Sequence, residues 1–239
     1  MVARTAGYVP PPQDSIRVAT LEQLSRSATR PLKGAEQFDL FGESGQSPEL
    51  FCAGDLTLVR NRCVAIVGTR EPDRMGAARA RRLAKELAGA GVVVVSGLAR
   101  GVDTEALTSA MKAGGHVIAV IGTPLTIAYP ADNKRLQELI YRKHLLVSQF
   151  PAGKRVFQSN FPVRNRLMAA MTDATVIVEA SDSSGTLHQA TECVRLGRWL
   201  FLAESIVDNP RLTWPARFLN KPRVHVLTSS SELLAVLER

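Results

Sequence analysis

Two short apolar runs separated by one helical stretch constrain the fold of this chain most strongly. Cys63–Val67 and Val92–Val95 are wholly apolar, and the spacing between them predicts a helix over about 75–90. Short buried strands joined by a helix are typical of a βαβ unit in a parallel sheet. The runs end at Gly68-Thr69-Arg70 and at Ser96–Gly101. Because ligands bind outside the carboxyl ends of such strands, we expect both loops at a binding edge.

The same alternation of apolar runs and helical spacing continues to the end of the chain. It predicts an α/β fold with a doubly wound, mostly parallel sheet and helices on both faces. The predicted strands are 63–68, 91–96, 116–121, 145–149, 175–180, 199–203 and 223–227, preceded by a short strand at Phe51–Asp55. The predicted helices are 75–90, 102–113, 132–143, 160–171, 185–197 and 230–238.

The first part of the chain differs in composition from the rest. Residues 1–47 contain Pro10-Pro11-Pro12, few aromatic residues and a Gly/Ser-rich piece, and only Ile16 to Ser27 has helical spacing. We therefore expect a loosely ordered N-terminal arm over 1–47, with room for one short helix, and a single domain over 48–239.

The overall charge indicates the class of partner. A formal net charge of +8 favours nucleic acid or a nucleotide, although a merely basic protein has the same total. No apolar run approaches a membrane span and no signal peptide is recognisable, which predicts a cytoplasmic protein without a membrane partner. Cys52, Cys63 and Cys193 lack metal-ligand spacing and are interpreted as small buried hydrophobes.

Signals for catalysis or a cofactor are few. The G-x-G-x-x-G fingerprint and the Walker lysine loop are absent, which disfavours a nicotinamide or flavin cofactor. The four histidines are scattered, and no Ser-His-acid or Cys-His arrangement is evident. We predict no catalytic residue, no metal and no cofactor.

Several predicted strand-end loops carry groups that suit phosphate. Glycines free backbone N–H groups at a helix start, and the arginine fork matches phosphate geometry. Each loop also has a simpler interpretation, such as a tight turn with an exposed arginine or an ordinary capping loop. Asp103 is interpreted as a carboxylate that complements the dipole of the next helix, and Asp132 as an N-cap.

The segment Phe161–Arg166 is more specific. Two arginines, with Asn165 between them, lie near a helix start, where cations oppose the helix dipole. Broken local rules of this kind tend to mark function. Phe161 either stacks on a base or forms a hydrophobic staple at the helix entry.

These motifs resemble the DprA/Smf family of DNA-processing proteins. The resemblance is carried, in order, by Val64–Arg70, Ser96–Asp103, Tyr129–Asn133, Phe161–Arg166 and Ser184–Thr186. It implies an extended Rossmann-like fold of the SLOG superfamily, single-stranded DNA as partner, a homodimer, and cooperation with a RecA-type recombinase. The family's winged-helix domain has no recognisable counterpart, so the resemblance is to a short form.

The DNA- or phosphate-binding residues are predicted from these loops together with the resemblance. They are Gly68, Thr69, Arg70, Gly97, Arg100, Gly101, Lys134, Phe161, Arg164, Asn165, Arg166, Ser184, Gly185 and Thr186. A nucleotide-sensing module remains an alternative. A phosphoribohydrolase-like enzyme is a further alternative, disfavoured because Gln189 stands where that enzyme class has its catalytic glutamate.

Overall fold

A computed structural model describes residues 5–27 and 48–238, in which nine strands form one sheet. The strands are β1 (Arg17–Thr20), β2 (Glu49–Gly54), β3 (Cys63–Gly68), β4 (Val93–Ser96), β5 (Val117–Ile121), β6 (Leu145–Ser148), β7 (Ala174–Glu179), β8 (Trp199–Ala203) and β9 (Val224–Leu227). The helices are α1 (Leu21–Ser27), α2 (Arg74–Gly89), α3 (Val102–Lys112), α4 (Lys134–Lys143), α5 (Asn160–Met171), α6 (Thr186–Arg195), α7 (Glu204–Val207) and α8 (Ser230–Leu237).

The strand order confirms the predicted fold class. It runs β1-β2-β6-β5-β4-β3-β7-β8-β9. In this order every neighbouring pair between β6 and the β9 edge is parallel. Only β2 and β1, at one edge, run antiparallel to their neighbours. Helices α2, α3, α4 and α8 bury one face of the sheet, and α1, α5, α6 and α7 bury the other.

Strand β3 shows why the central strands read as continuous apolar runs. Val64 and Ile66 belong to the core on the α2 side, whereas Ala65 and Val67 belong to the core on the α5 side. A parallel strand with helices on both faces buries every side chain, so the sequence does not alternate.

The order in which successive strands are added to the sheet reverses at β3. From β3 the chain proceeds through β4 and β5 to β6, and it then returns to β7 on the other side of β3. In open α/β sheets, ligands bind in the crevice at such a switch point. The topology therefore directs attention to the loops that follow β3 and β7.

Residues 5–27 of the predicted N-terminal arm contain strand β1 and the short helix α1, for which the sequence left room. Strand β1 pairs with β2 in the register Val18↔Phe51, and Leu21 and Leu24 of α1 are buried. Backbone pairing with an edge strand and two buried leucines order this segment despite its weak sequence pattern. Residues 1–4 and 28–47 of the predicted arm lie outside the described residues.

The three cysteines are buried, as the sequence predicted, and none of them forms a disulfide within the described residues. Burial raises the pKa of the Cys52 and Cys193 thiols to about 12, so both stay protonated near neutral pH. In the part of the chain that the structure describes, no helix combines the length and apolar character needed to cross a membrane.

Candidate nucleic-acid interface

The loop after β3 is held by close backbone contacts. Thr69 N donates to the Glu179 carbonyl at 2.7 Å, and the Thr69 carbonyl accepts from Val102 N at 3.2 Å. A Cβ at Gly68 would lie 2.6 Å from the Val102 side chain, so only glycine allows this approach. These contacts position Arg70 at the carboxyl edge of the sheet.

The loop after β4 is tied to the loop after β3. Gly101 has φ +74°, and a Cβ there would lie 2.5 Å from the Thr69 carbonyl oxygen. The Asp103 carboxylate accepts from Gly97 N at 3.1 Å and from Ala99 N at 3.2 Å. Burial raises the pKa of Asp103, and the nearby Arg164 charge and the N–H donors oppose that rise. Asp103 is therefore a loop-holding carboxylate at the start of α3.

Arg164, predicted as a DNA- or phosphate-binding residue, lines both cavities with a largely buried side chain. Its side chain is buried, and Nη1 donates to the Val120 carbonyl at 2.9 Å and to the Gly97 carbonyl. Burial lowers its pKa, and the Asp103 charge opposes that effect. The sequence pattern showed an arginine at an unfavourable helix end. It did not show that the guanidinium turns into the protein and joins the loop after β4 to the end of β5.

The two following residues of α5 contact α6 and its loop. Asn165 Nδ2 donates to the Gly185 carbonyl at 3.2 Å. Arg166 Nε lies 3.7 Å from a Glu192 carboxylate oxygen. Arg166 therefore faces α6, whereas Asn165 holds the loop before that helix.

Phe161 forms an aromatic pair at the start of α5. Its ring centroid lies 5.5 Å from that of Tyr129, and a Cβ at Gly122 would lie 2.9 Å from its ring. Tyr129 was part of a recognised motif but was not predicted as a site residue. Sequence spacing gave no signal that these two aromatic rings meet across 32 positions of the chain.

The prediction that Asp132 caps α4 is wrong. A 3-10 turn precedes α4, which begins at Lys134 with Asn133 as its N-cap residue. Asp132 instead forms an ion pair with Arg100, which lies in the loop after β4. Lys134 Nζ donates to the Ala6 carbonyl at 2.8 Å, a contact with the N-terminal segment.

The loop after β7 presents hydroxyl groups at the N-terminus of α6. Ser184 Oγ and Thr186 Oγ1 are 2.7 Å apart, and Thr186 N donates to Ser184 Oγ at 3.3 Å. Asp182 does not cap this helix. It accepts from Thr213 N and Trp214 N and from the Thr213 hydroxyl, and these donors hold its pKa below the usual range.

Two adjoining cavities collect most of the predicted residues. The first, of about 410 Å³, is lined by Gly68, Thr69, Arg70, Phe161, Arg164, Asn165, Ser184, Gly185 and Thr186, among others. The second, of about 580 Å³, is lined by Arg70, Gly97, Arg100, Phe161 and Arg164, together with Tyr129, Thr5 and Ala6. Gly101, Lys134 and Arg166 line neither of these cavities.

Arg70 is the exposed cation common to both cavities. Over residues 5–27 and 48–238, no carboxylate forms an ion pair with it. Its guanidinium, the α6 N-terminus and the Tyr129–Phe161 rings together offer phosphate donors and a stacking surface.

Gln189 lies at the floor of the first cavity. Its side chain is fully buried, and Nε2 donates to Thr175 Oγ1 at 3.3 Å. An amide cannot take up a proton as a carboxylate does, so this position does not supply a general base.

Fold and cleft together define an extended Rossmann-like protein whose loops present basic, hydroxyl and aromatic groups at one sheet edge. The family model described as DNA recombination-mediator protein A matches residues 40–237. The chain therefore belongs to this family, as the DprA/Smf resemblance indicated.

Relatives and solved structures agree with that assignment. DNA processing protein DprA from Streptococcus pneumoniae is 36% identical over 190 residues, covering 79% of this chain and 66% of the relative. Its X-ray structure has a TM-score of 0.72 and covers 83% of this chain and 69% of that chain. A structure of DNA processing protein A from Helicobacter pylori, which concerns its single-stranded DNA binding mode, has a TM-score of 0.75 and 26% sequence identity. The match covers 93% of this chain and 96% of that chain.

The curated relatives are longer than the matched segment. Protein Smf from Synechocystis is 36% identical over 176 residues, which are 73% of this chain and 44% of that relative. The chain thus spans between 44% and 66% of the length of these two relatives.

Proposed function

We propose that this protein binds single-stranded DNA in the two adjoining cavities and acts in DNA processing or recombination. The observation that carries the proposal is the position of Arg70. It lines both cavities, has no carboxylate partner in the described ranges, and shares each cavity with Phe161. A cation beside an aromatic surface suits a strand whose phosphates and bases are both accessible.

Each group has a separate part in this mode of binding. The Arg70 guanidinium binds one phosphate with charge-assisted hydrogen bonds. The N–H groups and hydroxyls at the start of α6 bind a second phosphate. A base stacks on the Tyr129–Phe161 pair, which contributes about 1–3 kcal/mol for each base. A duplex keeps its bases paired and stacked, so the cleft favours single strands.

We propose that binding takes place without catalysis. Gln189 stands where phosphoribohydrolases have a glutamate, and its amide is hydrogen-bonded to Thr175 in the core. The positive net charge also favours a polymeric ligand over a free nucleotide.

A homodimer and a RecA-type recombinase partner belong to the same proposal. The DprA/Smf resemblance implies both, and membership of the recombination-mediator family supports the recombinase partner. Light scattering of the purified chain tests the dimer, and recruitment of a bacterial recombinase to preformed protein–DNA complexes tests the partner. A monomeric mass would contradict the homodimer, and a lack of recruitment would contradict the recombinase partner.

Fluorescence anisotropy with a labelled single-stranded oligonucleotide tests the binding itself. We expect Arg70→Ala to weaken binding at least tenfold, because a hydrogen bond to a charged group contributes about 1.5–3 kcal/mol. Arg82→Ala is the matched control, since Arg82 lies on α2 outside both cavities and its side chain is 72% exposed.

The same titration includes an unlabelled duplex as competitor. We expect the duplex to compete poorly. Equal losses for the two arginine variants, or equal competition by duplex, would contradict binding in the cleft.

A further inference from the structure

The N-terminal strap, defined here as residues 5–9, forms part of the second cavity. Thr5 and Ala6 line that cavity together with Arg70, Arg100 and the Tyr129–Phe161 pair. The sequence predicted only a loose arm here, so the strap has no place in the function described so far.

Hydrogen bonds fix the strap on α4. Val9 N donates to Glu138 Oε1 at 2.9 Å, and Tyr141 OH donates to the Val9 carbonyl at 2.9 Å. Lys134 Nζ donates to the Ala6 carbonyl at 2.8 Å. Helix α4 thus holds both ends of the segment from Ala6 to Val9.

The strap also contacts the loop that carries Tyr129. Tyr8 OH donates to the Leu125 carbonyl at 2.9 Å and accepts from Gln137 Nε2 at 2.8 Å. Burial raises the pKa of the Tyr8 phenol, so its hydroxyl stays protonated and remains a donor. Thr5 Oγ1 donates to the Ala128 carbonyl, directly before Tyr129. The strap therefore fixes the backbone on which one of the two stacking rings stands.

The composition of this cavity suits one nucleotide. Its volume of about 580 Å³ falls within the range of small-molecule sites. Two aromatic rings offer an apolar surface for a base, and Arg70 and Arg100 offer donors for the attached phosphate. Arg100 has Asp132 as its present partner, whereas Arg70 is not ion-paired within the described part of the chain.

We propose that the N-terminal strap is a wall of the second cavity, beside the one base of the bound strand that stacks on the Tyr129–Phe161 pair. The strap holds the Tyr129 loop in place and confines the base beside the aromatic pair. This inference rests on the proposed single-stranded DNA binding and adds the N-terminal strap to the residues that shape the site of the stacked base.

Single substitutions in the strap, made in the whole protein, test this proposal. Ala6→Leu adds bulk to the cavity wall at an exposed residue whose anchoring carbonyl is retained, and Tyr8→Ala removes the bonds to Leu125 and Gln137. Val18→Ala is the control, because Val18 lies outside the strap and lines neither cavity, and its side chain is 55% exposed. Each variant is titrated with a thymidine oligonucleotide and with an abasic oligonucleotide of equal length.

We expect Ala6→Leu and Tyr8→Ala to weaken binding of the thymidine strand about tenfold, the size of one lost base stack. Binding of the abasic strand should change less than twofold, and Val18→Ala should match the wild type. Thermal unfolding monitors the fold. If Tyr8→Ala unfolds, Ala6→Leu alone decides.

Unchanged or tighter binding of the thymidine strand by Ala6→Leu would overturn this role of the strap. An equal loss on both strands would also overturn it, since the strap would then not act on a base. Arg70→Ala in the same titration separates the two proposals. If Arg70→Ala weakens binding and the strap variants do not, binding in the cleft stands without this role of the strap; if the wild type binds neither strand, the proposed function itself fails.

Discussion

Arg164 and Arg166 lie two positions apart in α5 and have opposite environments. Arg164 is buried and bonded to the Gly97 and Val120 carbonyls, whereas Arg166 is partly exposed and 3.7 Å from a Glu192 oxygen. A buried guanidinium that satisfies two carbonyls contributes to stability through the cost of leaving those carbonyls unpaired.

We expect Arg164→Ala to lower the free energy of unfolding by about 3 kcal/mol, because it removes these bonds and leaves a void. Arg166→Ala should cost less than about 1 kcal/mol, as is usual for an exposed ion pair. Urea denaturation of the two variants measures the difference. If both lost the same small amount, Arg164 would not have the structural role assigned here.

At this scale the sequence predicted residue types better than residue roles. The unusual cations of the Phe161–Arg166 segment were recognised, but their side-chain directions depend on burial, which local spacing does not encode. Asp132 and Asp182 show the same limit. Aspartate is a common N-cap residue, and both precede a helix. Asp132 instead pairs with Arg100, and Asp182 accepts a hydrogen bond from Thr213, and both partners are distant in sequence.

Among the elements, the two loops after β3 and β4 behave as one unit. Gly101 has φ +74°, and a Cβ would lie 2.5 Å from carbonyl oxygens of Thr69 and Arg70. We expect Gly101→Ala to destabilise the protein by about 1–3 kcal/mol, as backbone strain of this kind does, and to weaken DNA binding by displacing Arg70.

Gly89→Ala is the control for this change, because Gly89 is the last residue of α2 and a Cβ there would meet nothing within 4 Å. It should leave binding unchanged and stability equal or slightly higher. Thermal unfolding and anisotropy on the same samples measure both effects. A Gly101→Ala protein with native stability and affinity would refute the coupling of the loops.

The elements also show which parts of a fold can be predicted from sequence. Strands β3 and β8 have the predicted bounds 63–68 and 199–203, because an apolar run between polar loops leaves one choice of strand. Strand β1 was missed. Its exposed Arg17 and Val18 give no core pattern, and backbone pairing to β2 stabilises it. The N-terminal strap was missed for the same reason, since its partners are mainly carbonyls and α4 side chains more than 100 positions away.

For the whole molecule, the net charge of +8 offers a competing explanation of any DNA binding. A basic protein binds a polyanion over its whole surface, and each neutralised phosphate of a single strand adds about 0.7 to the steepness of log K against log salt. Binding in the cleft and binding by general charge therefore both weaken with salt. The salt dependence of the wild type alone does not distinguish them.

The variants do distinguish them, because Arg70→Ala and Arg82→Ala remove the same charge from different places. If Arg70 binds a phosphate in the cleft, its removal lowers the steepness by about 0.7, while Arg82→Ala leaves the steepness unchanged. Titrations at four or more salt concentrations measure both slopes. If the two variants shift the slope equally, the strand is held by the charge of the surface, and the loops of the sheet edge have no special part in binding it. A shift confined to Arg70→Ala would instead locate at least one phosphate at the junction of the two cavities, next to the aromatic pair.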